Sequence, residues 1–361
     1  MLALLLACCA AGCATTGSAE AEQKPAPPQR VFSRDLDAPA RPGKPAGTVV
    51  AKKDLPSTSH ACTQRVPEEE VGVDRARRRL EELSCSSAMW IDGLFGDTYD
   101  VDAARAAYGR LELSHFWSEY YGNRTRVRLN VRADFTNLED GLSGFLGRDD
   151  DDAFVRDRTE HFGVRSQFPQ IDDNDEWLAG LGYSLPGSES LQSDFRVGVR
   201  GLAHMRLFVQ NRVGYIPWSD DDNLLYLRAT PFWNTVDGFG FTTGVDFSRV
   251  LSDTRLVRWA NAGTISQDTE GVSWYTALID YHALSRRRGI AYEAFVRGET
   301  GLPVSLVEYG LQASFRHPII SRLFGEWVLG YTWPKVLPEE KREGAIGVGF
   351  GIELPFGSHY D

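Results

Sequence analysis

The stretch Glu343-Gly-Ala-Ile-Gly-Val-Gly-Phe-Gly-Ile-Glu-Leu-Pro-Phe356 decides the fold of this chain. Every second residue is large and apolar, and the set is Ile346, Val348, Phe350, Ile352, Leu354 and Phe356. Ala345 precedes them, and Gly347, Gly349, Gly351, Glu353 and Pro355 stand between them. Because successive side chains of a strand point to opposite faces, this period of two predicts a strand with one apolar face and one small or polar face.

The same alternation recurs upstream. In Thr125–Phe135 the apolar residues at 127, 129, 131, 133 and 135 alternate with charged or polar residues that include Arg126, Arg128 and Arg132. One such strand would also suit a soluble sandwich, but many of them without intervening helices favour a barrel. The apolar run that ends in Phe356 resembles the final strand of a bacterial outer-membrane β-barrel.

Thirteen segments satisfy the alternation rule from Tyr108 onward. They are Tyr108–Tyr120, Arg124–Asp134, Trp177–Leu185, Phe195–Leu202, Met205–Tyr215, Leu224–Asn234, Phe239–Val250, Arg255–Ile265, Ser273–His282, Ala291–Glu299, Glu308–Arg316, Leu323–Trp333 and Ala345–Phe356. A barrel with both ends in the periplasm needs an even count, and Leu142–Gly147 supplies the missing strand. The sequence therefore predicts an all-β fold, a transmembrane antiparallel barrel over residues 107–361 with about fourteen strands, or twelve if two weak segments fail.

Composition agrees with that fold class. The chain is rich in Gly (35) and aromatic residues, and its mean hydropathy of -0.31 excludes a polytopic helical membrane protein but not a barrel. A net charge of -11 argues against a nucleic-acid partner. The expected location is the cell outer membrane, where outer-membrane lipid and the barrel-assembly machinery are the implied partners.

The first 106 residues differ from the rest. Residues 1–18 are typical of a secretory signal, and Cys13 after Ala-Ala-Gly is a candidate lipidation site, with an ordinary signal peptide as the alternative. The Pro/Ala-rich residues 19–60 predict a disordered linker. Residues 61–106 predict a short periplasmic helical segment that starts near Pro67. Cys62 and Cys85 predict a disulfide in an oxidising compartment, with two free buried thiols as the alternative.

A short apolar, glycine-punctuated motif, Trp90-Ile-Asp-Gly-Leu-Phe-Gly96, follows the predicted helix. This pattern ahead of a barrel resembles a family of uncharacterised outer-membrane β-barrel proteins of Gram-negative bacteria, and the resemblance covers residues 62–357. It implies a fold and a location, and it implies no activity.

If the apolar sets face lipid, the opposite faces line the lumen. The candidate lumen residues are Arg126, Arg128, Arg132, Arg196, Arg200, Arg212, Arg228, Glu308 and Glu326. Two consequences stay open. The charges form an ion network that fills and rigidifies the interior, or the arginines form a basic wall that favours small anionic solutes.

The sequence offers little for catalysis. Asp280-Tyr-His282 is a weak acid-histidine pair that shares a strand face with Leu278, and no catalytic residue is nominated. The acidic runs at 149–152 and 220–222 lack EF-hand spacing, and the glycines at 238, 240 and 244 miss the dinucleotide fingerprint, so we expect neither metal nor cofactor.

The leading functional interpretation is a non-enzymatic, porin-like or structural envelope protein. The alternatives are a barrel hydrolase that acts on surface lipid or protein, and an adhesin or assembly partner that acts through an extracellular loop at 148–174.

Overall fold

The computed structural model describes residues 49–51, 75, 77–82, 84–85, 98–100, 107–134, 141–150, 154–155, 175–188, 190–201, 205–285, 287–320 and 322–357. The predicted signal, Cys13, Cys62 and the motif at 90–96 lie outside the described residues. The predictions made for them stay predictions.

Fourteen strands close into one antiparallel barrel. They are β1 (Tyr108–Ser118), β2 (Gly122–Asp134), β3 (Leu142–Asp150), β4 (Asp175–Leu185), β5 (Leu191–Arg200), β6 (Arg206–Ser219), β7 (Asn223–Asn234), β8 (Gly238–Ser252), β9 (Arg255–Ser266), β10 (Ser273–Ser285), β11 (Arg288–Glu299), β12 (Leu306–Ile320), β13 (Leu323–Pro334) and β14 (Ala345–Gly357). Each strand pairs with the next in sequence, and β14 closes the ring on β1, with Gly357 opposite Tyr108. The count of fourteen is confirmed against the alternative of twelve.

The barrel exposes its apolar side chains on the outside. On β13, Trp327 and Leu329 are 51% and 59% exposed, whereas Glu326 and Val328, which point the other way, are 1% and 4% exposed. A closed ring leaves no strand edge without a backbone partner, which is the condition for crossing hydrocarbon. The chain is therefore an outer-membrane β-barrel. Among the described residues no helix is long and apolar enough to span a membrane.

Aromatic residues near strand ends are expected to form a girdle at each membrane interface. The residues that the strand pattern places there are Trp117, Tyr120, Tyr121, Trp218, Trp233, Trp327, Tyr331 and Trp333. Most lie on the outer face or at a strand end, but Tyr121 turns into the barrel, where its hydroxyl group bonds to Glu308. A buried polar partner therefore outweighs the preference of tyrosine for the membrane interface.

The apolar row of β14 also ends differently from the prediction. Ile346 and Val348 are 42% exposed, but Leu354 and Phe356 are only 6% and 0% exposed. Phe356 lies over Gly109 of the paired strand, where an added Cβ would stand 2.5 Å from the ring. This end of the row is covered within the protein and does not face lipid.

A short helix contacts the same end of the barrel. Residues 75, 77–82, 84 and 85 are helical, within the segment for which a helix was predicted. Glu81 accepts a 2.9 Å hydrogen bond from the backbone N–H of Gly357 and forms an ion pair with Arg77 at 2.6 Å. Cys85 is buried, and its disulfide with Cys62 stays a prediction. Val49–Ala51, inside the predicted linker, pairs with Thr98–Asp100.

The membrane face can be tested on one strand. Leu278 lies near the middle of β10 and Leu284 near its end, and both are exposed on the outer face. We expect Leu278→Arg to lower the free energy of unfolding by about 2–4 kcal/mol and Leu284→Arg by at most about 1 kcal/mol, because the cost of a charge rises toward the bilayer midplane. Urea unfolding of protein refolded into phosphatidylcholine vesicles measures both. Equal costs at the two positions would contradict the assigned membrane span.

Candidate functional site

The barrel interior carries its arginines mainly on one side. The arginines predicted for the lumen lie on β2, β5, β6 and β7, and they are Arg126, Arg128, Arg132, Arg196, Arg200, Arg212 and Arg228. The first five are at most 8% exposed. Four buried carboxylates lie on β11 to β14, namely Glu293, Glu308, Glu326 and Glu353, and three more lie on β1, β5 and β8, namely Glu112, Asp194 and Asp246. In a closed ring of fourteen strands, β5 and β6 lie opposite β12 and β13, so Arg196, Arg200 and Arg212 stand across the interior from Glu308 and Glu326.

Ion pairs run along the wall of the barrel. They join adjacent strands or next-but-one strands, as Arg128–Glu112 (4.0 Å), Arg228–Asp246 (3.5 Å), Arg258–Asp246 (3.0 Å), Arg297–Glu308 (2.6 Å) and Arg316–Glu353 (2.9 Å). Charged pairs with short hydrogen bonds are the form in which buried charges are tolerated. These five pairs hold side chains against the wall and do not cross the interior from one side to the other.

Tyr121 reaches inward from the turn between β1 and β2. Its hydroxyl group donates to Glu308 Oε2 at 3.2 Å and accepts from Arg297 Nη2 at 3.3 Å. Burial raises the pKa of Tyr121 well above its usual value, so the side chain is a neutral phenol that can donate to the carboxylate. Its ring packs on an inward-facing apolar cluster formed by Ala277, Ile279, Tyr281, Ala291 and Phe295.

The same turn is fastened to the loop between β13 and β14. The Tyr120 hydroxyl group donates to Glu340 at 2.9 Å, and the Glu119 carboxylate accepts from the backbone N–H of Ile346 at 2.8 Å. The hydrogen bonds from Tyr120 and from the backbone N–H groups of residues 336 and 337 lower the pKa of Glu340. The turn that carries Tyr121 is thus held by contacts of Tyr120 and Glu119 at the rim and by contacts of Tyr121 in the interior.

A second inward element comes from the loop between β3 and β4. Phe154 and Val155 form a short helical pair, and Val155 is 0% exposed within a cluster of Leu178, Phe208 and Phe232. Phe154 packs against Phe145 and Phe208, with ring centroids 5.2 and 6.0 Å apart. The loop predicted over 148–174 begins later than expected, because β3 extends to Asp150, and the described residues Phe154 and Val155 fold into the barrel.

Two polar side chains of the barrel wall contact the Phe154–Val155 segment. The Arg196 guanidinium lies 5.4 Å from the centre of the Phe154 ring. With its amide oriented to satisfy both ends, Gln210 donates to the backbone oxygens of Val155 at 2.9 Å and Phe154 at 3.1 Å. The carbonyl groups of a chain segment inside a barrel are therefore bonded as burial requires. An Ala-Phe-Val run in an acidic loop was the available signal, and the sequence analysis missed it.

The Asp280–His282 pair lies on the outer face with Leu278. Arg255 binds Asp280 through two hydrogen bonds of 2.9 and 2.8 Å, and His282 Nε2 stands 3.1 Å from the same carboxylate. The Asp280 carboxylate thus forms an ion pair with Arg255 on the outer surface of the barrel. Among the described residues, no group of three or more His, Cys, Asp or Glu side chains is placed to hold a metal ion.

No protein-family model matches the chain, and no curated protein matches it. Solved structures of porins share its general form. The KdgM porin in complex with oligogalacturonate aligns over 68% of this chain and 99% of its own at 6% identity, with a TM-score of 0.34. The channel DcaP of Acinetobacter baumannii aligns over 69% and 96% at 8% identity (TM-score 0.43), and an anion-selective porin from Comamonas acidovorans over 69% and 98% at 10% identity (TM-score 0.42). Similarity at this level carries no functional argument.

The Arg297–Glu308 pair gives a stability test. Arg297→Met leaves the fully buried Glu308 without its cation, and we expect a loss of about 3–5 kcal/mol in the free energy of unfolding. The double variant Arg297→Met/Glu308→Leu should recover most of that loss, because no charge remains buried. Arg255→Met, which breaks an exposed pair, should cost about 1 kcal/mol or less. Urea titration of the refolded variants measures these free energies of unfolding. A double variant that is no more stable than Arg297→Met would contradict the assignment of Arg297–Glu308 as a buried ion pair.

Proposed function

We propose that the chain forms an outer-membrane channel that favours small anionic solutes and is narrowed near its extracellular end by Tyr121 and the Phe154–Val155 segment. The observation that carries the proposal is the concentration of inward-facing arginines on β2 and β5 to β7. Arginine stays charged at every physiological pH, so this side of the interior has a fixed positive potential.

The basic side supports a preference for anions. A wall of arginines lowers the energy of an anion inside a pore and raises that of a cation. The ion pairs along the wall reduce this effect but do not cancel it, because the described interior positions of β2 to β7 bear more arginines than carboxylates. A solute that passes through the interior would therefore meet an excess of arginines on the side formed by β2 to β7.

The two inward elements support a narrow passage. Tyr121 comes from the β1–β2 side of the rim and reaches β11 and β12, whereas Phe154 and Val155 occupy the side formed by β3 to β7. Phe154 also contacts Arg196 of the basic side. The proposed constriction and the proposed basic wall are therefore in contact, so solute size and charge would be selected at the same place.

Selectivity is the first test. Planar bilayers with a KCl gradient should give a reversal potential of the sign expected for chloride, and Arg128→Ala or Arg200→Ala should shift it toward cations because each removes one positive charge from the wall. Arg255→Ala, which removes a charge from the outer surface, is the matched control and should leave it unchanged. Refolded protein that gives no conductance steps, or steps with cation selectivity, would refute the proposed function.

The constriction is tested separately by single-channel conductance. Phe154→Ser with Val155→Ser removes the apolar contacts that hold the segment in its cluster, so conductance should rise while the sign of selectivity is kept. Leu311→Ser, a change of the same kind on the lipid-facing surface, should leave conductance at the wild-type value. A double variant that conducts like the wild type would place the narrowest point elsewhere.

The two alternative functions gain no support from specific observations. The Asp280–His282 pair that a hydrolase would use is bound to Arg255 on the outer face. Part of the loop that an adhesin would present lies inside the barrel. Lipase and protease assays on the same refolded protein test the hydrolase alternative. Turnover without conductance would favour a hydrolase over a channel.

A further inference from the structure

The outer face of the barrel has an apolar groove of about 540 Å³ across β9 to β13. Its main lining residues are Trp259, Leu278, Ala294, Val296, Leu311 and Trp333. All of them lie on the strand face that carries the exposed apolar residues. The groove therefore opens toward hydrocarbon and not toward the barrel interior.

Strand register explains why a groove forms here. Ala294 is paired with Leu278 on one side and with Leu311 on the other. A methyl group between two isobutyl groups leaves a depression in an otherwise continuous surface. One step toward the extracellular rim, Tyr309 is paired with Trp333, and their stacked rings, 5.1 Å apart, form a wall.

The Thr276 hydroxyl group, one of the polar groups in the lining, already has its hydrogen-bond partners. The Thr276 hydroxyl group donates to Asn261 Oδ1 at 2.6 Å and accepts from Trp259 Nε1 at 3.2 Å. Because this hydroxyl group already donates and accepts a hydrogen bond, a molecule in the groove does not need to supply a polar partner for it. The groove therefore suits a hydrocarbon chain better than a polar protein side chain.

A fixed cation stands at the rim end of the groove. The Arg342 guanidinium lies 5.5 Å from the centre of the Tyr309 ring and donates to the backbone oxygens of Leu306, Val307 and Trp333. Leu306, Tyr309 and Trp333 belong to the groove lining, so the cation is joined directly to it. The nearby Glu340 is directed away, to Tyr120. Charge and shape together describe a ligand with an apolar tail and an anionic head.

We propose that this groove binds one acyl chain of a phosphorylated lipid of the outer leaflet, whose phosphate group contacts Arg342. Guanidinium groups bind phosphate through paired hydrogen bonds, and three of the five N–H groups of Arg342 are used by the carbonyls that fix its position. The groove extends from the rim to the middle of β9 and β11, the depth that an acyl chain of one leaflet reaches. This site is independent of the channel proposed for the interior.

The groove is tested by filling it. Wild-type protein in detergent is titrated with lipid A, the probe, and binding is read by native mass spectrometry. Ala294→Phe should raise the Kd at least about tenfold, a loss of about 1.4 kcal/mol, because the ring occupies the depression. The matched control is Ala313→Phe, which puts the same ring on the same outer face outside the groove and should bind as the wild type. Heat-modifiable gel mobility shows that each variant forms the barrel.

The head group is tested with Arg342→Gln. This variant should weaken binding of lipid A and leave binding of its dephosphorylated form unchanged, because only the phosphate contact is lost. Equal binding by the wild type and Ala294→Phe overturns the groove as a lipid site. Equal weakening of both lipids by Arg342→Gln overturns the phosphate contact. A wild-type dimer that Ala294→Phe converts to a monomer also overturns the proposal, since a second copy would then be the occupant.

Discussion

The structure depends on one constraint, that no backbone N–H or C=O group can be left without a partner in hydrocarbon. A helix meets this constraint alone, but a strand meets it only with neighbours on both edges, so the sheet must close. The pairing of Gly357 with Tyr108 is therefore the contact that makes the other strands possible. Closure also assigns each residue to the inside or outside by its parity alone, because side chains alternate along every strand.

The inner face of the barrel then carries polar side chains, and many of the large ones are arginines. A long side chain that carries a planar cation can lie flat along the wall and reach a carboxylate on a neighbouring strand, as Arg316 reaches Glu353 across β13. Such pairs are held by the barrel geometry, so they rigidify the wall without crossing the interior. Arginines and carboxylates are nevertheless unevenly shared between the two sides, and that imbalance is what a passing ion would sense.

The fold was predictable because it rests on a local rule. A period of two repeated through thirteen segments needs no knowledge of tertiary contacts, and the even strand count required of a barrel supplied the fourteenth. The same parity assigned Arg126 and Glu326 to the inner face, and both side chains are buried. Tyr121 and Phe154 were not predictable in this way, because a turn or loop residue has no parity and its direction depends on partners far along the chain. Phe356 is a different case, because it lies in a strand with the expected parity but is buried where its ring lies over Gly109. The next residue, Gly357, is bonded to Glu81 of the helical segment.

The outer surface shows how register adds information that a single strand lacks. Ala294 is an unremarkable residue in its own strand, and only its pairing between Leu278 and Leu311 turns a small side chain into a depression. The same applies to Arg342, whose neighbours in sequence are of both charges, but whose position over Tyr309 is fixed by three carbonyls of two other strands. The proposed lipid site therefore depends on residues from five neighbouring strands, β9 to β13. Strand register can in this way determine the shape of the hydrocarbon-facing surface, as it determines the placement of charge on the aqueous side.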